Sequence, residues 1–514
     1  MEWFDDWALT LAVFIPLVGM ALVLLIPRAQ EQAIKVTALA TSVVTAAVGI
    51  GILVDFNYDK SGKLQFQADE SWIDVISSRY HVGIDGIALP LLILSMLVVI
   101  GCIIYSWDHF PEPRNAKAFL ALVLLLEVGM NGTFVAQDLI LFFIFFEVVL
   151  LPMFFMIGVW GGPNREYASI KFFLFTLFGS ALMLVGFLAL FFTSKQQTFD
   201  MVQLTQFGGA GIDHTTQMLI FGGFFLGFAI KVPMFPFHTW LPDAHTEAPT
   251  VGSVLLAAIL LKLGTYGFVR IALPMLPDAA KDWAPWIGLL AVIGIIYGAL
   301  CCLAQTDMKR LIAFSSVAHM GFVMLGISTL TDFGINAAIF GMVAHGLITG
   351  MLFFVAGSVQ ERYETREMSR LGGLLTQAPK LGWILGFSAM ASLGLPGLAG
   401  FWGEFPAILS AYDPSAALDG IAGSSAFTTY RTFMVIAAIG TVLAAGYLLF
   451  MLQRVAFGTP KPEFENAHVH DVHVPEWLAW APLLVLILVL GIYPNLLFDV
   501  TDGAVTNVST LFSG

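Results

Sequence analysis

Long apolar stretches dominate the chain, and polar or charged residues fall mostly in the short segments between them. Fourteen such stretches can be delimited along the 514 residues: 7–26, 34–54, 86–107, 117–136, 139–160, 167–193, 217–241, 250–272, 283–304, 310–329, 334–357, 381–411, 430–452 and 477–498. An α-helix needs about 20 apolar residues to cross a bilayer, and these stretches lack the alternation of barrel strands. The pattern predicts an all-α polytopic membrane protein with about fourteen transmembrane helices in a single membrane domain.

Two of the fourteen stretches are interrupted by helix-breaking residues. The seventh contains Pro233 and Pro236 just after Lys231, and the twelfth contains SLGLPGLAGFWGEF at 392–405. Proline inside a helix frees carbonyl groups, which must then face protein or water rather than lipid. A matched pair of broken helices indicates an inverted-repeat transporter core. We therefore expect helices 1–3 within residues 1–116, two inverted five-helix repeats at 117–272 and 283–456, and a final helix at 477–498.

Composition excludes several classes of protein. Hydrophobic residues make up 58% of the chain and charged residues only 11%, whereas soluble proteins have about 25% charged residues. The net charge of −13 gives no attraction for nucleic acids or anionic lipids. The three cysteines form no CxxC motif, which argues against iron–sulfur ligation and a disulfide framework. No glycine-rich phosphate loop is present, so nucleotide binding is not indicated.

The distribution of basic residues predicts an orientation. The proposed spans place fourteen lysines and arginines on one side and seven on the other, with Lys231 and Lys262 left inside. By the positive-inside rule, the richer side is cytoplasmic and both termini lie outside. Acidic residues precede the first stretch, so we interpret it as a retained span rather than a signal peptide. The loop at 55–85 is then outside and is expected to form a short hairpin or a helix.

Several ionisable residues lie inside the apolar stretches. A charge at the bilayer centre costs about 2.5–3.5 kcal/mol on insertion scales, so each must be paired, hydrated or neutral. The main candidates for a functional role are Glu147, Lys231, Lys262, His319 and Glu404, and the secondary candidates are Glu127 and His345.

Lysine, glutamate and histidine together can move protons through a membrane. Burial disfavours the charge on a lysine and a nearby carboxylate favours it, so a moving carboxylate switches whether the lysine holds its proton. Histidine adds a carrier that titrates near neutral pH. Two structural alternatives stay open: Glu147 and Lys231 can be a pair that only joins helices, and Glu404 can cap amides freed beside the break.

The loop before the last span contains HVHDVH, with His468, His470 and His473. Three imidazoles at this spacing can bind a metal ion, but no cysteine or fourth histidine lies nearby to complete a site. We therefore interpret the segment as a solvated polar loop and predict no metal site.

The segment KVPMFPFHTWLPDAHTEAPTVGSVLLAAILLKLGTYGFVR, residues 231–270, resembles the antiporter-like membrane subunits of respiratory complex I. DLILFFIFFEVVLLPMFFMIGVWGG at 138–162 and DMKRLIAFSSVAHMG at 307–321 match the same family. The resemblance is to the M group, which is homologous to mitochondrial subunit 4. Glu404 stands in the second broken helix where the L and N groups have lysine, and the long lateral helix of the L group is not seen.

This resemblance implies a proton-translocating subunit of NADH–quinone oxidoreductase in the bacterial inner membrane. It implies that Glu147 and Lys231 form a modulating ion pair, that Lys262 is the central relay and that Glu404 is the terminal carrier. His319 and His345 would lie between these residues, and His238 near the cytoplasmic inlet. It also implies L and N subunits as neighbours, with FMN, iron–sulfur clusters and quinone in partner subunits and no cofactor in this chain.

Three other functions compete with this interpretation. A multisubunit sodium–proton antiporter and a membrane-bound hydrogenase would use similar helices and a similar Glu–Lys pair. A purely structural membrane spacer would have no reason to keep Lys262 and Glu404 in separate helices.

Overall fold

The apolar stretches form helices throughout the computed structural model, which describes residues 2–421 and 425–513. Within these ranges, twelve helices are long and apolar enough to cross a membrane. The all-α membrane fold class is therefore confirmed. The two interrupted stretches, 217–241 and 381–411, are not among the twelve, because the structure divides each into shorter helices. The total of fourteen spans stays a prediction.

The N-terminal part contains three long helices and a β-hairpin. Its elements are α1 (Glu2–Leu25), α2 (Glu31–Asp55), β1 (Gln65–Ile73), β2 (Ser78–Ile84) and α3 (Ala88–Tyr105). The strands are antiparallel, with Ala68 opposite Val82 and Glu70 opposite Tyr80. Of the two predicted alternatives for residues 55–85, the hairpin is correct. We call the side of the bundle that carries it the hairpin side.

The first half of the bundle ends in an unusual rod. It contains α4 (Ala116–Val135), α5 (Leu139–Val148), α6 (Leu150–Trp160), α7 (Arg165–Thr193), α8 (Met201–Phe207), α9 (His214–Lys231) and α10 (Trp240–Glu247). The rod follows as α11 (Thr250–Leu255), α12 (Leu261–Gly267) and α13 (Leu273–Met275). Two π-helical turns, Leu256–Leu260 and Phe268–Ala272, join these three helices. Such turns are rare and frequently lie at functional sites.

The second half and the C-terminal part contain nine helices within the described residues. They are α14 (Pro277–Leu303), α15 (Met308–Ser328), α16 (Asp332–Tyr363), α17 (Leu374–Gln377), α18 (Pro379–Ser392), α19 (Ala399–Ser410), α20 (Ala426–Val455), α21 (Val474–Ile492) and α22 (Asn495–Ser509). Short 3₁₀ segments occur at Tyr58–Lys60, Asp74–Ile76, Ala416–Leu418 and Thr510–Phe512.

Burial separates central helices from peripheral ones. The most apolar 18-residue window of α16 is 100% buried, and the windows in the rod and in α15 are each 94% buried. The corresponding windows of α1, α7 and α20 are only 39% buried, so these helices present apolar side chains to lipid. The three central elements carry Lys262, His319 and His345.

Two helices begin with equivalent aspartate caps on opposite sides of the bundle. Asp138 accepts hydrogen bonds from the N–H groups of Ile140 and Leu141 at the start of α5. Asp307 accepts them from Lys309 and Arg310 at the start of α15. Such caps satisfy amides that have no partner within the helix. An inverted repeat would place equivalent caps in this way, although the division into repeats stays a prediction.

The last predicted stretch, 477–498, is wrong at its end. Helix α21 stops at Ile492, because Pro494 cannot continue it. The following residues form the separate helix α22, which buries Leu497 and Val505 and packs against α16. Helix α16 also extends to Tyr363, beyond its predicted end at residue 357.

Candidate functional site

The central lysine is fully buried and contacts a histidine. Lys262 lies one residue after the start of α12, and its ammonium group folds back to donate to the carbonyl of Ala257, 2.6 Å away in the first π-helical turn. The same Nζ lies 2.6 Å from Nδ1 of His345 on α16. One lysine–histidine contact therefore joins the rod to α16, the most buried helix of the bundle.

A second contact joins His319 to Glu404. Nδ1 of His319 lies 2.5 Å from Oε1 of Glu404, and Nε2 lies 3.1 Å from both the Ser392 and Tyr447 hydroxyls. These groups come from α15, α18, α19 and α20. Glu404 therefore contacts an imidazole rather than the amides beside the break, which does not favour a capping role. Its Oε2 is buried without a protein partner.

The Lys262–His345 contact and the His319–Glu404 contact lie beside the same small cavity. The rings of His319 and His345 have centroids 6.0 Å apart. A cavity of about 20 Å³ is lined by both histidines and by Glu404. A site of about 10–15 Å³ is enough for one water molecule if polar groups surround it. Nε2 of His345 is also buried without a protein partner. One water molecule can therefore connect Lys262 and His345 to His319 and Glu404.

The predicted pair of Glu147 and Lys231 is coupled at a distance rather than in contact. The two side chains interact electrostatically, but no N–O distance between them is within the 4.0 Å of an ion pair. The Lys231 ammonium lies over the ring of Phe146, 4.8 Å from its centroid. Lys231 is buried at the end of α9 and Glu147 is half-buried.

The interrupted seventh segment packs directly on the helix that carries Lys262. A Cβ atom placed on Gly264 would lie 3.0 Å from Cβ of Lys231 and 2.8 Å from the carbonyl oxygen of Phe228. Because glycine has no side chain, the end of α9 can approach α12 this closely. Lys231 is therefore adjacent to the central contacts, although no hydrogen bond links it to Lys262.

Two secondary candidates lie outside the central contacts. Glu127 is fully buried, and its Oε2 accepts a hydrogen bond from Ser42, 2.8 Å away on α2. His238 packs against the rings of Phe235 and Tyr297, with centroids 5.8 and 5.0 Å away. The structure brings neither residue to Lys262 or His319.

The sequence interpretation missed Lys309 and His245. A cavity of about 220 Å³ on the side opposite the hairpin is lined by Lys309, Glu247, Glu361 and others. Lys309 was assigned to a loop, but it is buried and its Nζ lies 2.5 Å from the carbonyl of Ala248.

His245 precedes Glu247, which lines the same cavity, by two residues. It is fully buried, its ring stacks on Phe353 with centroids 4.4 Å apart, and both of its nitrogens lack protein partners. It interacts electrostatically with both Lys309 and Lys262. The second histidine of the FHTWLPDAH segment, residues 237–245, was the sequence feature that could have identified it.

A charged cluster stabilises the rim of this cavity. His109 follows α3 and contacts the carboxylates of Glu361 and Glu476, the latter at 3.2 Å. Burial alone would lower the pKa of His109, but the two carboxylates outweigh it and raise the pKa to about 9. Arg362 pairs with Glu476 at 2.7 Å. The cluster ties α16 to α3 and to the start of α21.

The HVHDVH segment is tied to neighbouring helices through its backbone and its aspartate. Asp471 accepts hydrogen bonds from the N–H groups of Lys380 and Leu381, which begin α18. Arg362 donates to the carbonyls of His470 and Asp471. Across residues 2–421 and 425–513, no group of three or more His, Cys, Asp or Glu side chains is arranged to hold a metal ion.

Comparison with known proteins identifies the relatives of this arrangement. The family model described as NADH:quinone oxidoreductase/Mrp antiporter, TM, matches residues 136–429. NADH-quinone oxidoreductase subunit M of Rickettsia prowazekii is 39% identical over 507 residues, which cover 98% of this chain and 99% of that protein.

Two solved structures share the whole architecture. A chain of respiratory complex I from Thermus thermophilus with bound NADH superposes with a TM-score of 0.86 at 28% identity, covering 98% of this chain and all of that one. A chain of the Mrp complex from Dietzia sp. superposes with a TM-score of 0.84, covering 100% and 99%, but at 20% identity this likeness concerns the fold alone.

Proposed function

The chain belongs to the family of membrane subunits found in NADH:quinone oxidoreductases and Mrp antiporters, and we propose that it is the proton-translocating subunit M of an NADH–quinone oxidoreductase. The relatives named subunit M match nearly the full length of the chain. The observation that supports proton transfer is the buried series Lys262, His345, His319 and Glu404.

Each member of this series has a role that its contacts support. Lys262 receives a proton and passes it to His345, with which it shares a hydrogen bond. His319 receives it through the small cavity and delivers it to Glu404 across the 2.5 Å contact. Glu147 and Lys231 control the charge next to Lys262 without direct contact, as a movable switch requires.

Proton uptake is assigned to the cavity opposite the hairpin. By the distribution of basic residues this side is cytoplasmic, and both termini lie on the outer face of the bacterial inner membrane. Lys309 lines the cavity and His245 leads from it toward Lys262. Glu404 is the last carrier before release to the outside.

The energy required is within the range of electrostatic coupling. Moving one proton against about 200 mV costs about 4.6 kcal/mol, at about 2.3 kcal/mol per 100 mV. A unit charge brought to about 4 Å from a carrier changes its energy by about 4 kcal/mol at an effective dielectric constant of about 20. The rearrangement of one charge pair is therefore comparable in energy with the transfer of one proton.

The redox reaction takes place in partner subunits. We propose that these subunits hold FMN, iron–sulfur clusters and quinone, and that the L and N antiporter-like subunits are the nearest membrane neighbours. An antiporter subunit without a redox partner is the main alternative. The close relatives named as oxidoreductase subunits favour the respiratory assignment.

Replacement of the central lysine tests this function. The chain should be recovered in a large complex with NADH dehydrogenase activity. In that complex, Lys262→Met should abolish most NADH-driven acidification of proteoliposomes, because methionine keeps the bulk of the side chain but cannot carry a proton. Lys35→Met is the matched control, since Lys35 is also buried but bonds Glu31 and the carbonyl of Trp107 away from the series.

Two results would contradict the proposal. Full acidification by the Lys262→Met complex would remove the lysine from the proton path. Recovery of the chain with sodium-dependent proton exchange and without NADH dehydrogenase activity would favour the antiporter alternative.

A further inference from the structure

A second line of polar residues leads from Lys262 toward the hairpin side. Tyr266 and Arg270 follow Lys262 at intervals of four residues on the same rod. At 1.5 Å per residue, Arg270 lies about 12 Å beyond Lys262 along the helix axis. Arg270 is part of the second π-helical turn, Phe268–Ala272. Neither Tyr266 nor Arg270 belongs to the proton series that ends at Glu404.

Arg270 borders a large cavity on the hairpin side. The cavity has a volume of about 520 Å³ and is lined by Arg270, Asp85, Gln137 and Lys63 among others. A terminal nitrogen of Arg270 lies 2.5 Å from Oδ1 of Asp85, and both side chains are largely buried. The N–H groups of Ile87 and Ala88 also donate to Oδ1 of Asp85. The start of α3 therefore fixes the carboxylate that holds the guanidinium.

Tyr266 lies between Arg270 and Lys262 along the rod. Its ring is fully buried, and its hydroxyl donates to the carbonyl of Phe134, 2.8 Å away. The same oxygen accepts a hydrogen bond from Nε of Arg270 at 3.1 Å. The hydroxyl proton is thus held in a hydrogen bond to a backbone carbonyl, so Tyr266 cannot pass a proton to Lys262 while these bonds exist.

We propose that Arg270, held by Asp85 and Tyr266, is an electrostatic barrier that prevents protons on the outer side from returning to Lys262. This inference rests on the proposed function. A guanidinium stays protonated in proteins and cannot act as a carrier, and a fixed arginine charge excludes protons from a pore. Asp85 lines the cavity, and Arg270 contacts both Asp85 and Tyr266. An incoming proton therefore meets the positive guanidinium before it reaches Lys262.

Such a barrier is required because the cavity and the lysine are only about two helical turns apart. Lys262 exchanges protons with the cytoplasmic side in the proposed function. A second connection to the outside would let the gradient dissipate through the same lysine. The barrier leaves Glu404 as the route of release.

The barrier is tested by measuring passive proton leak, which requires no NADH turnover. Purified complex is reconstituted in proteoliposomes, a pH gradient is imposed, and its decay is followed with a trapped pH-sensitive dye. In Arg270→Gln the decay should be about tenfold faster, since a unit charge about 12 Å away contributes a factor of about ten at an effective dielectric constant of about 20. Arg270→Lys keeps the charge and should hold the gradient.

Three further variants make the test specific. The double variant Asp85→Asn/Arg270→Gln leaves no unpaired buried charge and should show a smaller leak of the same sign. Lys63→Gln changes a charge on the wall of the same cavity and should not leak. Lys262→Met in the Arg270→Gln background should abolish the leak, because the leak passes through the lysine.

An unchanged decay in both Arg270→Gln and the double variant would overturn the barrier. A leak that persists without Lys262 would also overturn it, because the protons would then take another path. Neither result depends on pumping, whereas failure of the proposed function would be seen as NADH-driven acidification by Lys262→Met. The two failures are therefore distinguishable.

Discussion

In the proposed function, His319 links the contact between Lys262 and His345 to Glu404. Its Nδ1 contacts Glu404, and its Nε2 contacts the hydroxyls of Ser392 and Tyr447, of which Ser392 lines the cavity shared with His345. A neutral imidazole carries one proton and accepts another on the opposite nitrogen. A proton arriving at Nε2 can therefore release the proton on Nδ1 to Glu404. In the proposed function, one proton therefore crosses the ring without any movement of the side chain.

The first prediction concerns Glu404. Glu404→Ala should lose most NADH-driven acidification while the complex still assembles, because His319 loses the acceptor at its Nδ1. Glu404→Lys should keep appreciable acidification, since lysine is also titratable and related subunits have lysine at this point. Acidification is measured in proteoliposomes alongside NADH–quinone turnover. Asp413→Ala, an exposed acidic residue beyond α19, is the control and should behave as the unmodified chain.

Equal loss of acidification and assembly in both Glu404 variants would contradict this prediction. Lysine cannot accept hydrogen bonds from amides, so that outcome would restore the capping role.

At the residue scale, the sequence singles out the residues of the proposed series but does not predict all of their contacts. Buried ionisable residues in apolar stretches are costly, which is why Lys262, His319 and Glu404 stand out. Lys309 does not stand out, because it lies near the end of a stretch where a lysine is ordinarily solvated. Its burial results from packing against the carbonyl of Ala248 in a distant loop, which no local pattern encodes.

At the element scale, the interrupted twelfth segment is held against α16 by two glycines. A Cβ atom on Gly403 would lie 2.5 Å from Cα of Gly341 and 3.0 Å from its nitrogen. The backbones of α19 and α16 therefore touch one residue before Glu404. This close approach determines how far the carboxylate of Glu404 reaches toward His319.

The second prediction follows from that contact. Gly403→Ala should push α19 away from α16, destabilise the fold by about 1–3 kcal/mol, and reduce proton pumping by weakening the Glu404–His319 contact. Gly386→Ala is the matched control on α18 of the same segment, because a Cβ atom there has no neighbour within 4 Å. It should be neutral or stabilising by about 0.5–1 kcal/mol. Thermal unfolding and acidification are measured for both variants, and similar behaviour of the two would refute the prediction.

The elements that the sequence predicts well are those set by length and hydropathy. Prolines correctly mark the interruptions after Lys231 and around Pro396. The π-helical turns of the rod were not predicted, because a π turn follows from tertiary packing around the helix rather than from residue type. Helix α22 was joined to the last span because the apolar pattern continues past Pro494.

At the scale of the whole molecule, the cavity beside Arg270 and the cavity beside Lys309 lie on opposite sides of the bundle. The cavity of about 520 Å³ lies on the hairpin side, and the cavity of about 220 Å³ is lined by Lys309 and Glu361 on the other. The direction of transport therefore depends on which side faces the cytoplasm. The sequence predicts this only through the distribution of basic residues.

The third prediction tests that orientation with single cysteines. Val75 at the hairpin tip is 95% exposed, and Ser369 is exposed on the opposite side. In a Cys301→Ser background, where Cys102 and Cys302 are buried, Val75→Cys should react with an impermeant maleimide in intact cells. Ser369→Cys should react only after permeabilisation. The reverse pattern would place the termini in the cytoplasm and invert the proton path.

The depth of the buried residues has an electrical consequence. Lys262 lies at the middle of Thr250–Met275, His319 at the middle of Met308–Ser328, and His345 close to the middle of Asp332–Tyr363. Glu404 is held at the same level by its contact with His319. In the proposed function, a proton that travels along this line moves parallel to the bilayer plane and crosses almost none of the transmembrane field. The work of about 2.3 kcal/mol per 100 mV is concentrated in uptake and release, so voltage should alter the rates of those two steps and leave lateral transfer unchanged.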